Sequence, residues 1–394
     1  MKILLVNHFP LQGSGSGIYT MNIARELVKK KHDVMVIDID NQIDKNDYIF
    51  QRKTIICDKT KNENYDLEFN FPCFTTHPGS NLTYYDLSDN QIKDYIHVYI
   101  QAIENAVQSF KPDIIHAQHL WIVPYAAMKT KIPYVITTHG TDLMGFEKDK
   151  RYHKYVIKAA LGAKKIITIS KQVHNRILEL FDVKETNLQL NPNGFDNSIF
   201  KVKKVNKKKF CEQFGIIYKP GQKIISFVGK FTNFKGIDIL LKAAGLINDE
   251  ISDIIFCLAG EGDKEEKMKS LSDSLGLDNV YFIGHQDQNI ISLLYNIADL
   301  SIVPSRVEPF GLVAIEALAC GTPVVATNAG GLPDFINNKI GQLVKMEDHR
   351  ALAKAVIREL KNNTKKTKGK YAQKYASDNY SWDKTIEKVI ETYQ

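Results

Sequence analysis

Two consecutive α/β domains, each carrying a parallel sheet covered by helices, are what the sequence predicts. Three observations point there. Short strand segments alternate with helix-period segments along the first half of the chain. The same alternation restarts after a basic run at residues 200–209. The length of 394 residues is enough for two cores of ordinary domain size.

Taken in order, Lys2–Val6 reads as a buried strand, residues 13–17 (GSGSG) as a flexible loop and Tyr19–Lys31 as a helix. Asp33–Ile39 is the second strand. Residues 40–90 are polar and rich in Asn and Asp, and irregular structure is expected there. Apolar residues at 92, 96, 99, 103, 106, 107 and 110 recur at the helical period, so Gln91–Phe110 is an amphipathic helix. Strands follow at Ile114–His116, Tyr134–Thr138 and Ile166–Ser170, with a helix before the last. The run KVKKVNKKKF reads as a solvated linker dividing residues 1–199 from 200–379. Beyond it strands are expected at Lys223–Val228, Ile254–Ala259, Val280–Ile283, Leu300–Pro304 and Pro323–Ala326.

Composition narrows the class. Hydrophobic residues make up 44% and charged residues 25%, as in a soluble globular protein. The net charge of +7 divides as +2 over residues 1–199 (24 basic, 22 acidic) and +5 over residues 200–394 (28 basic, 23 acidic), too even for a nucleic-acid surface. Five scattered cysteines with no CxxC fit reduced thiols in a cytoplasm. The apolar start MKILLVNHFP is too short for a signal peptide, and no apolar run approaches the roughly 20 residues needed to span a bilayer. A soluble cytoplasmic protein, monomer or homodimer, is expected, with peripheral membrane contact left open.

Residues 298–336 carry the chemistry. Pro309 sits where a helix begins, and Gly321 with Pro323 ends it. The stretch GLVAIEALAC between them is apolar all round except Glu316, so the helix is buried and its carboxylate needs a partner. Glu308 lies eight residues earlier, about two helical turns, which puts both carboxylates towards one side. For Glu308 alone an ordinary surface charge explains as much. The first N–H groups, around Phe310, Gly311, Leu312 and Val313, make an anion site at the positive end of the helix dipole. An anion site flanked by two carboxylates suits a molecule with phosphate in the middle and hydroxyls at each end, such as a sugar nucleotide.

The segment E-PFGLVAI-E, followed by TPVVATNAGGLPDFI, resembles the E-x7-E motif of retaining GT-B glycosyltransferases, in particular family 4 (glycosyl transferases group 1). The resemblance implies two Rossmann-like domains with parallel sheets facing across a cleft, a closing helix over residues 380–394 crossing back onto the first, and a nucleotide-sugar donor, UDP before GDP or ADP. It implies transfer of a hexosyl or N-acetylhexosaminyl group to a hydroxyl of a small polar or glycan acceptor, with no cofactor and no metal. By the same resemblance Gly15 and Gly17 lie against the donor phosphates, and His139, in THGTD, contacts the transferred sugar. Thr141 and Asp142 line the acceptor side. Lys230, Lys235 and the amides near Gly311 neutralise the leaving diphosphate. Gly284 and His285, in FIGHQD, face the nucleotide base. Glu316 holds the ribose and Glu308 the sugar hydroxyls. The family usually has Arg where this chain has Lys230.

Other readings compete. GSGSG invites a dinucleotide-binding fingerprint, but Ile18 stands at its third glycine and the loop starts too far beyond the strand. Asp38 and Asp40 mimic a metal-binding DxD, and His116 with His119 a metal pair lacking a third ligand. Arg151, Lys154, Lys158, Lys164 and Lys165 hint at an anionic acceptor or surface. A nucleotide-sugar epimerase of the UDP-GlcNAc 2-epimerase kind is the alternative enzyme, and a non-catalytic sugar-binding protein the alternative class.

Overall fold

The structure, a computed structural model, describes residues 1–42, 46–75 and 77–394. They form two compact units, Met1–Asn193 with Thr385–Gln394, and Gly194–Lys384.

The first unit holds strands β1 (Lys2–Val6), β2 (Asp33–Asp40), β3 (Gln51–Ile56), β4 (Ile114–Gln118), β5 (Tyr134–Thr138), β6 (Lys165–Thr168) and β7 (Leu188–Leu190). They make one parallel sheet in the order β3-β2-β1-β4-β5-β6-β7. β1 is central because its run KILLV buries every residue after Lys2, as a strand covered on both faces must. The order reverses between β1 and β4, and at such a point the loops beyond the carboxyl ends diverge and leave room for a ligand.

The second unit repeats the scheme with β8 (Lys223–Val228), β9 (Ile254–Ala259), β10 (Val280–Phe282), β11 (Leu300–Val303), β12 (Val324–Thr327) and β13 (Gly341–Val344). Their order is β10-β9-β8-β11-β12-β13, again all parallel, with the reversal between β8 and β11. The helices Ile237–Asn248 and His349–Lys361 bury Leu240, Leu241, Leu352 and Val356 against Ile225, Phe256 and Ile302 of the sheet.

Several expectations are corrected. Residues 40–90 contain strand β3, held by its register with β2. GSGSG is not a loop throughout: the helix starts at Gly15, capped by Ser14, whose side chain accepts from the Gly17 N–H. Gly17 is required there, because a Cβ would lie 2.1 Å from the Pro10 carbonyl oxygen. The helix expected from Pro309 starts at Leu312, since Gly311 has φ +107° and cannot continue a helix backwards. The basic run is partly structured. Lys203 N–H donates to Asn296 Oδ1 at 2.6 Å, Lys207 pairs with Asp299 at 3.0 Å, and Lys207–Gln213 is helical. All five cysteines are buried and outside any disulfide. Among the described residues no helix is long and apolar enough to cross a membrane.

The chain's last residues complete the first unit. Tyr393, buried, places its hydroxyl 2.8 Å from His116 Nδ1, and its carbonyl accepts from Lys164 Nζ at 2.9 Å. Asn191 Nδ2 donates to the Thr385 carbonyl at 3.1 Å. Tyr393→Phe strands a buried imidazole nitrogen, a loss of about 1–3 kcal/mol. The denaturation midpoint of the first unit is expected to fall, and an unchanged midpoint would show that the tail is not holding the sheet through His116.

Candidate active site

In the second unit the site is assembled by the loops that follow β8 and β11, the strands flanking the reversal. The loop after β11 carries Ser305, Arg306 and Glu308. Glu308 is buried, and its Oε2 accepts from Lys235 Nζ at 2.7 Å and from Ser305 Oγ at 3.1 Å. This close approach depends on Gly236, at φ +64°, where a Cβ would meet the Pro304 carbonyl oxygen at 2.1 Å. Arg306 fixes both loops from the other side. It makes a bidentate bond to Asp238 at 2.8 Å on each nitrogen, donates to the Asn233 carbonyl at 2.8 Å, and also pairs with Glu347. Its own N–H donates to the Phe234 carbonyl at 2.8 Å.

Glu316 lies four residues inside the helix Leu312–Ala319, whereas Glu308 lies outside it, so the two carboxylates do not share a helical face. Glu316 is half-buried, and among the described residues its carboxylate has no hydrogen-bond partner. Loss of solvent pushes its pKa up to about 8. Beside it the fully buried Tyr295 has a hydroxyl with no partner, and its ionisation is disfavoured by burial and then by the Glu316 charge. The N–H groups of Gly311, Leu312 and Val313 bond to no other backbone carbonyl among the described residues, as expected at a helix start. Phe310 is buried against Phe335 and Tyr380, with ring centroids 5.6 and 5.9 Å away, so its side chain is a packing anchor under the loop. Lys230 is exposed just past β8.

Glycines meet at the carboxyl ends of β8, β9 and β10. Gly229 N–H donates to the Ala259 carbonyl at 3.0 Å and Gly260 N–H to the Gly284 carbonyl at 2.8 Å. A Cβ on Gly260 would lie 1.9 Å from the Gly229 carbonyl oxygen. Gly284 has φ +70° and open space where a Cβ would stand, and His285 beside it is exposed. The strand ends here approach through backbone, with Phe227 and Phe231 packed against Gly229 and Gly260.

In the first unit His139 caps β5, buried, with Nε2 3.1 Å from Gln118 Oε1 and its ring edge-on to Tyr19 at 5.1 Å. Burial lowers its pKa to about 3, so the imidazole is neutral. Thr141 opens the next helix, half-buried. Asp142 is fully buried and accepts from the N–H groups of Leu120 (2.8 Å), Leu143 (3.1 Å) and His139 (3.4 Å). It ties the loops after β4 and β5 together instead of offering a free carboxylate. Gly15 is exposed in the first helical turn, while Gly17 is buried against Pro10.

In each rival metal reading one of the two residues is already engaged. Asp38 is buried in a pair with Arg52 at 2.6 Å and accepts from Thr54 Oγ1 at 2.9 Å. His116 is spent on Tyr393 and, at 2.7 Å, on Thr137. Among the described residues no three His, Cys, Asp or Glu side chains are grouped to hold a metal. Three of the basic residues of 150–165 are also engaged: Arg151 by Asp149 and the Leu87 and Tyr85 carbonyls, Lys164 by Tyr393, and Lys165 by the Thr186 carbonyl. Missed in the sequence were Ser305, Arg306, Tyr295 and Gly229, of which only Gly229 left a signal there, as a strand-end glycine in VGK; Gly260 lies in AGEGD, a segment that the resemblance turns towards the nucleotide.

Comparison with known proteins bears on family and fold. The family model described as Glycosyltransferase Family 4 matches residues 13–198, and that described as Glycosyl transferases group 1 matches residues 212–377. An uncharacterised glycosyltransferase of Methanocaldococcus jannaschii is 29% identical over 301 residues, 72% of this chain and 75% of its own length. The D-inositol 3-phosphate glycosyltransferase of an Arthrobacter species is 27% identical over 332 residues, 78% of this chain and 77% of its own. Among solved structures, the sucrose-phosphate synthase of Thermosynechococcus elongatus superposes with a TM-score of 0.78 at 20% identity, covering 100% of this chain and 98% of that one. Anabaena HepE in complex with UDP-glucose does so with 0.76 at 19%, covering 100% and 99%. The protein is a glycosyltransferase with the GT-B fold. Within that class it belongs to the group 1 glycosyltransferases, which use nucleotide-sugar donors, and the epimerase alternative is not favoured.

Four buried histidines of the first unit make its stability acid-sensitive. Burial lowers His8, His116 and His139 to about 3, and His119 well below its ordinary value. The unfolded chain takes up these protons near pH 6.5 and the folded unit does not, so stability is present above that pH and is lost as pH falls towards 3. The expected loss is roughly a kilocalorie per mole per pH unit for each histidine. A thermal midpoint flat between pH 7 and 4.5 would contradict this.

Proposed function

We propose that this enzyme moves a hexosyl or N-acetylhexosaminyl group from a UDP-sugar to an acceptor hydroxyl with retention of configuration and without a metal ion. The observation that carries the reading is the Lys235–Glu308–Ser305 cluster beside the helix start at Gly311. It brings together an ammonium, helix-start N–H groups and a carboxylate, the kinds of group that a leaving phosphate and sugar hydroxyls require. The UDP and UDP-glucose complexes of Anabaena HepE favour uridine as the base.

The electrostatics give the mechanism. As the bond from the anomeric carbon to phosphate oxygen breaks, negative charge grows on the diphosphate. Lys235, Lys230 and the amides of Gly311, Leu312 and Val313 stabilise that charge more in the transition state than in the ground state. The acceptor oxygen bonds to the anomeric carbon on the face the diphosphate is leaving, and its proton passes to the departing phosphate oxygen. Glu308, held by Ser305, orients the sugar hydroxyls once Lys235 turns to the phosphate. His139, neutral, contacts the transferred sugar, and Thr141 lies on the acceptor side. Glu316 holds the ribose hydroxyls, with Tyr295 next to it. The nucleotide sugar is a substrate, and no cofactor enters.

Two measurements test this. Glu316 keeps its proton at pH 7 in the free protein, yet hydroxyl donors prefer a carboxylate. UDP affinity should therefore rise with pH, by up to about tenfold per unit below 8, with proton release on binding. Glu316→Gln should flatten that profile. Calorimetry in two buffers decides, and a wild-type affinity independent of pH from 6 to 8.5 would remove Glu316 from the ribose.

Lys235→Ala should cost transfer at least a hundredfold, and UDP affinity far less, because its contribution grows with the leaving charge. Activity should persist in EDTA. Loss of transfer on chelation, restored by manganese, would replace the cationic-loop mechanism with a metal-assisted one.

A further inference from the structure

His139, the residue of the first unit assigned to the transferred sugar, follows β5, and Gln118 is the last residue of the neighbouring strand β4. Gln118 is in register with Thr137, two residues before His139, so both side chains leave the sheet on one face. β4 stops there because His119 turns the chain at φ +66°, while its N–H still donates to the Thr137 carbonyl at 2.7 Å. Gln118 Oε1 lies 3.1 Å from His139 Nε2. Tyr19 stands edge-on to the His139 ring at 5.1 Å, and the His119 ring lies 4.6 Å away. The His139 backbone N–H points to Asp142 Oδ2 at 3.4 Å, which fixes the base of the side chain. The ring is held from several directions.

The partner of Nε2 decides where the proton sits. A neutral imidazole has one N–H and one lone pair, and an amide oxygen only accepts. With Gln118 Oε1 against Nε2, the proton belongs on Nε2 and the lone pair on Nδ1. Burial keeps the ring neutral. The titratable groups around it leave that unchanged: His8, His116 and His119 are kept neutral by burial, and burial disfavours ionisation of Tyr19. Asp142 is engaged by three backbone N–H groups. Nδ1 bonds to no described residue, yet it is not sealed in as both His8 nitrogens are, and His139 keeps 9% of its surface exposed. Nδ1 is the ring nitrogen left for a ligand.

Gln118 itself is fully buried, and its Nε2 has no partner among the described residues. An apolar residue of similar length would fill the space without stranding a donor, so the amide does not serve stability. Its side chain makes one hydrogen bond among the described residues, the one to His139. In glycosyl transfer positive charge grows on the sugar ring as the bond to phosphate breaks. An imidazolium against the sugar would repel that charge. A lone pair on Nδ1 accepts from a sugar hydroxyl and favours it.

We propose that Gln118 is a positioning residue for transfer: it holds His139 as the Nε2–H tautomer, so that Nδ1 accepts a hydrogen bond from a hydroxyl of the transferred sugar. The identity of that ligand rests on the glycosyltransferase reading, whereas the tautomer of the free protein does not.

The test is NMR of the full-length protein carrying isotope-labelled histidine, with the His139 signals identified by their loss in His139→Asn. In the free wild-type protein between pH 6 and 8, His139 should show a protonated Nε2 and a bare Nδ1. UDP-glucose or UDP-N-acetylglucosamine should shift the Nδ1 signal, and UDP alone should leave it in place. Gln118→Met and Gln118→Leu should each lose the single tautomer. Each should slow UDP release from the preferred sugar nucleotide tenfold or more, with UDP affinity within twofold of wild type. A proton on Nδ1 in the wild-type protein, or an Nδ1 signal indifferent to a bound UDP-sugar, overturns the proposal without either variant. A folded variant that keeps the wild-type tautomer or the wild-type rate overturns it as well. A protein with the stated tautomer that neither binds nor consumes a sugar nucleotide is a different result. It refutes the function, and with it the sugar as ligand, but not the hold of Gln118 on His139.

Discussion

The second unit depends on one contact, the 2.7 Å pair between Lys235 and Glu308. Each group would be costly alone: Glu308 is buried, Lys235 is half-buried, and a partly desolvated charge without a partner is a large penalty. The pair forms because β8 and β11 are neighbours in a parallel sheet, so the loops leaving their carboxyl ends run side by side. Gly236 lets the backbones meet, and Arg306 bolts both loops to Asp238 and the Asn233 carbonyl. The energy of the fold thus keeps a cation and a carboxylate together before any substrate arrives. On the proposed function that is preorganisation, since phosphate replaces carboxylate as the partner of Lys235 without water having to rearrange around it.

The two units differ in how they treat charge, and the difference is chemical. The second unit presents ionised side chains at its strand ends. The first presents imidazoles kept neutral by burial, for His8 and His116 with the His139 ring adding to the effect, and an Asp142 whose carboxylate is consumed by backbone N–H groups. Charge that grows in a glycosyl transfer grows on the leaving diphosphate, so fixed countercharge is useful on the donor side. An alcohol acceptor needs aim and desolvation more than countercharge, and neutral donors and acceptors supply both.

Much of the fold was legible from the sequence, and what was missed has a common cause. Fully buried strands such as β1 and β9 are unbroken apolar runs that announce themselves. β3, β7 and β13 are edge strands, and QRKTII, LQL and GQLV mix polar residues into short segments that lack the unbroken apolar run of a strand covered on both sides. The helix start at Gly15 was hidden for another reason. Glycine is a poor helix former, and there the Ser14 cap and the closeness of Pro10 override propensity.

The site divides in the same way. Glu308 and Glu316 were readable because a carboxylate among apolar neighbours contradicts its surroundings in one dimension. That Glu308 sits outside the helix was not readable, since it depends on the φ of Gly311. His8 left no trace of any kind: one histidine after a strand, in VNHFP, has neither period nor motif to betray it. Its signal is a deficit, two buried nitrogens with nothing to bond, and a deficit exists only once every neighbour has been placed. Function carried by a positive feature of the chain can be read from the chain. Unmet hydrogen-bonding capacity appears only in three dimensions, because the folding that buries the group also withholds its partner.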